Sequence, residues 1–259
     1  GNRSVTAFSR HASDNGHERA SISVVIPAYN ESEYLGDTLA SLKAVADAYA
    51  GPVEIIVVDN NSTDNTAEVA AAAGATVVFE PQNQIARARN AGAAAASGEY
   101  LVFVDADTRL EGDILTKVAD NLDGVAIGGG AWAEPDLKGP SRFVLKYLVN
   151  FVLMLQNVTV GPFLYCEREA FLRVRGFNEE YYAAEEFVFA RRMQAEARSL
   201  NRQWKIIRHD KGHRVVTSGR RLGRLGGLGM AYRNAHLLWR SEKKLRRKDH
   251  CSYWYGARG

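Results

Sequence analysis

Cysteine is scarce in this chain of 259 residues, with only Cys166 and Cys251 present. The two lie far apart and lack metal-ligand spacing, which argues against a disulfide framework or a structural zinc site. Long apolar runs are missing too: no stretch reaches the roughly eighteen apolar residues that a spanning helix needs. The N-terminus has no apolar core of a signal peptide, so the expected location is cytoplasmic. No Gly-x-Gly-x-x-Gly follows the first apolar run, and the phosphate-loop signature Gly-x4-Gly-Lys-Ser/Thr is absent, so neither of these phosphate-binding turns is expected. Nor does either sign of charge dominate. With 33 Lys and Arg against 30 Asp and Glu, the net charge of +3 is too small to point to nucleic acid.

What is present is an apolar fraction of 46%, enough for a substantial core. Residues 1–20 are polar and read as a flexible leader. From Ser21 a short apolar run followed by a helical pattern recurs. Ile22–Ile26 is closed by Pro27-Ala28-Tyr29-Asn30-Glu31, and Leu35, Leu39, Leu42 and Val45 then share a helix face. Val53–Val58 ends at Asp59, and an alanine-rich helix follows, with Asp64 or Asn65 as its N-cap and Gly74 at its end. Ala75–Phe79, a helix over 84–97 and Tyr100–Val104 complete the series. Strands alternating with helices through short loops predict a mostly parallel open sheet flanked by helices.

The run Tyr100–Val104 carries no charge and suits a strand buried on both faces. It leads into Asp105-Ala106-Asp107. In an extended chain these two carboxylates project to one side, and such a pair of hard oxygen donors suits Mn²⁺ or Mg²⁺. The competing reading is a turn that caps the next helix. Past Asp107 the alternation decays. Helices are expected over 112–122, 143–155, 167–174 and 185–197, and strands over 125–132, 161–166 and 204–208. Residues 143–155 read first as a buried helix and second as an interfacial one. The cluster Lys243-Lys244-Leu245-Arg246-Arg247-Lys248 reads as a solvated tail, with peripheral contact to anionic membrane as its second reading.

Four stretches carry a resemblance: Val24-Val25-Ile26-Pro27-Ala28-Tyr29-Asn30-Glu31, Val57-Val58-Asp59-Asn60-Asn61-Ser62-Thr63-Asp64, Ala88-Arg89-Asn90-Ala91-Gly92 and Phe103-Val104-Asp105-Ala106-Asp107. In this order and spacing the sequence resembles the inverting family 2 glycosyltransferases, over residues 21–210. The resemblance implies a GT-A fold, a Rossmann-like nucleotide-binding sheet. It implies a domain over 21–219, with a donor half over about 21–109 and an acceptor half over about 110–219, followed by a basic extension over 220–259.

It also implies a nucleotide-diphosphate sugar donor (UDP- or GDP-linked), a hydroxyl acceptor, and Mn²⁺ or Mg²⁺ as cofactor. Pro27, Tyr29 and Glu31 would hold base and ribose, and Asp59 would accept a hydrogen bond from the base. Asp59 has a turn or capping role as its alternative. Arg89 would lie near the diphosphate or brace the metal carboxylates. Asp107 would ligate the metal directly, while Asp105 contacts ribose or a metal-bound water. His213, with His209 second, would complete the coordination.

The family's Glu-Asp pair, which follows a Gly-Phe-Asp-Glu-like turn, corresponds to Glu185-Glu186 after Gly176-Phe177-Asn178-Glu179. Glu186 stands at the Asp position as the expected base and Glu185 as its support, although the added methylene leaves the choice between them open. Arg220 and Arg221 would close over the diphosphate, or form a solvated basic loop. The alternatives in other classes are a sugar-nucleotide pyrophosphorylase, a retaining GT-A transferase, and a non-catalytic sugar-nucleotide-binding or membrane-docking protein.

Overall fold

The computed structural model describes residues 19–136, 161–208, 212–218 and Arg246. In chain order the elements are β1 (Ile22–Ala28), α1 (Ser32–Asp47), β2 (Val53–Asp59), α2 (Thr66–Ala72), β3 (Thr76–Phe79), α3 (Ile85–Ala95) and β4 (Tyr100–Val104). They continue with β5 (Thr108–Gly112), α4 (Ile114–Asp123), β6 (Ala126–Ala131), β7 (Glu134–Asp136), β8 (Phe163–Glu167), α5 (Arg168–Arg173), α6 (Glu185–Ser199), β9 (Gln203–Ile207) and β10 (His213–Ser218). The expected helix over 143–155, His209, Arg220, Arg221 and, apart from Arg246, the basic cluster at 243–248 lie outside the described residues.

A seven-stranded sheet runs β3-β2-β1-β4-β8-β6-β9. Strands β1 to β4 are mutually parallel, β6 and β9 are parallel, and β8 runs against both of its neighbours. The mostly parallel open sheet read from the sequence is thus present. The chain passes from β1 outward through β2 and β3, then returns to place β4 on the other side of β1. The strand order reverses there, and ligands of open α/β sheets bind outside the carboxyl ends of strands at such a point.

The central strands β1 and β4 are buried on both faces because each contributes to two cores. Val24 and Ile26 of β1 pack with Leu35, Leu39 and Leu42 of α1, whereas the intervening Val25 packs among Ala86 and Ala88 of α3. In β4 the same alternation sends Val102 and Val104 to the first core and Leu101 and Phe103 to the second. The alanines of α3 let that helix sit close to the sheet. Gly92 marks the tightest approach, where an added Cβ would lie 2.3 Å from Val25 Cγ1 and 2.9 Å from Val58 Cγ2.

A second, three-stranded sheet, β5-β10-β7, was not expected from the sequence. Residues 112–122 were read as helix from Gly112, but Thr108–Gly112 is strand β5 and α4 begins at Ile114. Gly112 makes the transition with φ of 73°, and a Cβ there would overlap the Gly212 carbonyl oxygen. Likewise His213–Ser218, for which no strand was expected, is strand β10, antiparallel to β5 and parallel to β7.

Candidate active site

Along one edge of the large sheet, three strands end in polar residues. Ala28 of β1 is level with Asp59 of β2. Phe103 of β4 is level with Val25, so Asp105 emerges close to where Pro27 leads into Tyr29. Behind β1 and β2 the turns are tied together. Asn30, with φ of 51°, receives the backbone N–H of Thr63 on its Oδ1 at 2.8 Å, and its own N–H donates to Ser62 Oγ at 3.1 Å. Asp59 Oδ1 accepts the Ser62 N–H at 2.9 Å. The Glu31 N–H donates to Thr66 Oγ1 at 2.9 Å, and the Glu31 residue is buried. Asp59 therefore does make the turn contact that was its alternative reading, and the edge that contains it is held rigidly. Of the two cap candidates Asn65 occupies the N-cap of α2 without a side-chain hydrogen bond, and Asp64 Oδ1 accepts the Thr66 N–H of the first turn at 3.0 Å.

The centre of the site is Arg89, whose side chain is 2% exposed. Its Nη1 donates to Glu185 Oε1 at 2.8 Å, and its Nη2 donates to Glu186 Oε1 at 2.7 Å and to Asp105 Oδ1 at 3.1 Å. Among the described residues its Nε has no hydrogen-bond partner, and the guanidinium carbon lies 5.2 Å from the centre of the Phe177 ring. Of the two roles read for Arg89, this geometry is the bracing one, and it reaches both glutamates as well as Asp105.

One guanidinium cannot neutralise three carboxylates. Burial works against the charge on Arg89, but Glu186, Glu185 and Asp105 together outweigh it and raise its pKa. Glu185, with a side chain only 5% exposed, bears the opposite strain. Burial first, and the Glu186 carboxylate second, push Glu185 up to about 7, against the pull of Arg89. Glu186 is 22% exposed and so is the glutamate that an incoming molecule can reach. Both stand in the first turn of α6, which follows Ala184 in a left-handed conformation with φ of 62°. Negative charge is favoured at that end of a helix.

Asp105 and Asp107 do not share one side of an extended strand as expected. β4 ends at Val104, and the Thr108 N–H donates to the Asp105 carbonyl at 3.1 Å, which closes a turn. The turn sends the two carboxylates to different partners. Asp105 meets Arg89, while Asp107 Oδ2 accepts the hydroxyl of Ser218 at 2.5 Å and the Asp107 carbonyl accepts the Ser218 N–H at 3.0 Å. Ser218, at the end of β10, was given no role in the sequence reading. Its place depends on the β10–β5 pairing, which no local pattern announces.

His213 is not brought to Asp107. It pairs with Gly112 at the opposite end of β10 from Ser218, five residues of extended chain or roughly 16 Å away. Its Nε2 donates to the Arg208 carbonyl at 2.8 Å, which occupies the lone-pair direction a metal would need, and its Nδ1 lies 3.2 Å from Asp113 Oδ1. Both ring nitrogens of His213 are thus engaged away from Asp107.

Among the described residues no group of three His, Cys, Asp or Glu side chains is placed to hold a metal ion. A small dication does not require one, because Mg²⁺-type sites are often built from one or two carboxylates plus substrate phosphates. The donor set at Asp107, a half-buried carboxylate beside a hydroxyl, fits an ion that arrives with a diphosphate.

The seven-stranded open sheet, with acidic residues at the carboxyl ends of β2 and β4 and α3 packed against it, has the GT-A fold of the solved glycosyltransferases compared below. The family model described as "Glycosyl transferase family 2" matches residues 23–173. The chain belongs to that family.

A glycosyltransferase of Mycobacterium tuberculosis is 41% identical over 102 residues, covering 39% of this chain and 44% of the relative. Another, from Haemophilus influenzae, is 31% identical over 126 residues, covering 46% and 49%. The chain thus spans about half the length or less of these curated relatives. Among solved structures, Staphylococcus aureus TarS residues 1–349 superpose with a TM-score of 0.59 at 23% identity, covering 77% of this chain and 60% of that one. The mannosyltransferase PcManGT of Pyrobaculum calidifontis, in complex with GDP-Man and Mn²⁺, superposes with a TM-score of 0.58 at 18% identity, covering 96% and 74%.

Proposed function

We propose that this protein transfers a sugar from a nucleoside-diphosphate sugar to an acceptor hydroxyl, with inversion at the anomeric carbon and with a divalent cation. The observation that carries the reading is the buried Arg89, which gathers Glu185, Glu186 and Asp105 at the edge where Asp59 and Asp107 also lie. TarS, similar in fold, has also been solved with UDP-GlcNAc, and PcManGT with GDP-Man and Mn²⁺. These support a UDP- or GDP-linked donor.

Pro27, Tyr29 and Glu31 contact the base and ribose, and Asp59 accepts a hydrogen bond from the base. Asp107, with Asp105 nearby, would hold a Mn²⁺ or Mg²⁺ ion that arrives with the diphosphate. When bound, the ion stabilises the charge that gathers on the leaving phosphate. Glu186 is the base. It is reachable, at 22% exposure, and Arg89 fixes its orientation so that it takes the proton of the acceptor hydroxyl as that oxygen attacks. Glu185, the more buried of the two glutamates, holds Arg89 in place from the other side.

The test is incubation with UDP- and GDP-sugars and Mn²⁺ or Mg²⁺ across a panel of hydroxyl acceptors. Nucleoside diphosphate release with an inverted anomer in the product is the expected result. A retained anomer would transfer the assignment to a different mechanism, and no nucleotide binding at all would sink it.

A further inference from the structure

Asn90 follows Arg89 on α3 and points to the same acceptor-side turn, yet the chemistry above gives it no task. Its side-chain amide pairs with both backbone groups of a single residue: Nδ2 donates to the Phe177 carbonyl at 2.9 Å, and Oδ1 accepts the Phe177 N–H at 2.9 Å. This is the hydrogen-bond pattern of a strand neighbour, supplied by a side chain. The same Nδ2 also donates to Glu179 Oε1 at 2.9 Å, while Glu179 Oε2 pairs with Arg87 at 2.9 Å. The geometry is tight around it. Gly176 adopts φ of 62°, and a Cβ at that position would stand 2.7 Å from Asn90 Oδ1.

Phe177, held in this way, touches everything that positions the carboxylates. Its ring faces the Arg89 guanidinium, stacks on Phe189 of α6 at 4.3 Å between centroids, and meets Phe103 of β4 edge-on at 5.0 Å. Phe189 lies one helical turn from Glu185 and Glu186, on the buried side of α6. A shift of Phe177 would therefore move both the cation that orients the glutamates and the helix that carries them. Gln84, at the start of α3, adds a second tie, with Nε2 donating to the Tyr181 carbonyl at 3.1 Å and to the Glu179 carbonyl.

We propose that Asn90 is a positioning residue for transfer: by clamping the backbone of Phe177 it sets the placement of Arg89 and of the Glu185–Glu186 pair without touching substrate. The proposal rests on the transferase reading, with Glu186 as base. Misplacement of a reacting group by about 1 Å can cost on the order of 100-fold in rate, so a clamp of this kind acts on the chemical step and leaves donor binding alone.

The experiment compares wild type, Asn90→Ala and Asn90→Asp in three measurements: affinity for UDP and GDP with Mn²⁺, kcat and KM for transfer, and the pH profile of kcat. The aspartate keeps the acceptor for the Phe177 N–H, but it loses the donor to the carbonyl and faces Glu179 with a like charge. We expect kcat to fall roughly 10- to 100-fold in both variants, with nucleotide affinity within about twofold of wild type. The pH profile of kcat should also change shape in both variants, because Arg89 and the glutamate pair it orients no longer sit as they do in the wild type. Unchanged kcat in a folded Asn90→Ala protein would overturn the proposal. So would a loss of rate that tracks thermal stability in both variants while the pH profile stays fixed. A wild-type protein that binds no nucleotide would instead overturn the transferase reading, which is a separate result.

Discussion

At the residue scale the site depends on one cation. Arg89 is buried and shared by three carboxylates, whereas Arg87, two positions earlier, makes its pairs to Glu80 and Glu179 while a third exposed. Removing the buried cation leaves the buried Glu185 and two partly buried carboxylates uncompensated, and breaking a buried pair in this way typically costs about 3–5 kcal/mol. An exposed pair is worth about 0–1 kcal/mol. Arg89→Met is therefore expected to destabilise the fold several-fold more than Arg87→Met in urea unfolding. Equal effects would show that Arg89 is not the keystone.

Glu185 gives the same cluster a pH signature. Burial, then the neighbouring Glu186 carboxylate, raise it from 4.5 to about 7 on folding. Between these values the unfolded chain has released a proton that the folded protein keeps. The folded state then binds more protons, and the contribution of Glu185 to stability falls as pH rises through that window. Below it the contribution is level, and above it the full cost of the buried charge is present. Glu185→Gln removes this titration, so the variant's stability should decline less steeply than that of wild type between about pH 4.5 and about pH 7. Parallel stability curves for the two proteins would refute the assignment.

At the element scale, α3 does two jobs: it lies against β1 and β2, and it presents Arg89 and Asn90 from the same stretch. Close packing and precise presentation both depend on Gly92. A methyl group there meets Val25 and Val58 well inside contact distance, and overpacking of this kind costs about 1–3 kcal/mol. Gly36 on α1 has nothing within 4 Å of an added Cβ. There Gly→Ala should stabilise by about 0.5–1 kcal/mol through helix propensity alone. Gly92→Ala is thus expected to lower Tm and Gly36→Ala to raise it, and two shifts of the same sign would contradict this account of α3.

The same contrast explains what was legible in the sequence. β1, β2 and β4 were readable because burial on both faces demands near-continuous apolar runs, and α1 because Leu35, Leu39, Leu42 and Val45 recur with helical period on its buried side. β5, β7 and β10 were not. Thr108-Arg109-Leu110-Glu111 alternates over too few residues, and its partner lies about a hundred positions away, so only tertiary pairing makes it a strand. In the site, the four motifs on one edge could be read one at a time. What could not be read was the long-range geometry: that Arg89 spans from Asp105 to Glu185 and Glu186, that the Asp105–Asp107 segment turns instead of extending, and that β10 brings Ser218, not His213, to Asp107.

At the scale of the whole molecule, the donor edge and the second sheet meet at Asp107. The carboxylate is fixed by Ser218 through both its side chain and its backbone carbonyl, so an ion held there with a diphosphate would link β4 to β10. A ligand that binds only the folded state stabilises it by about 2.7 kcal/mol at 100 times its dissociation constant. For a protein of this size, that corresponds to a rise in Tm of roughly 5–10 °C. UDP or GDP together with Mn²⁺ should therefore raise Tm by more than the sum of the shifts that each produces alone, because neither completes the site without the other. Asp107→Asn keeps the hydroxyl contact from Ser218 but removes the charge. In that variant the shift from nucleotide alone should persist and the extra shift from Mn²⁺ should vanish. An undiminished metal-dependent increment would move the ion away from Asp107, and with it the proposed path by which the leaving phosphate is stabilised.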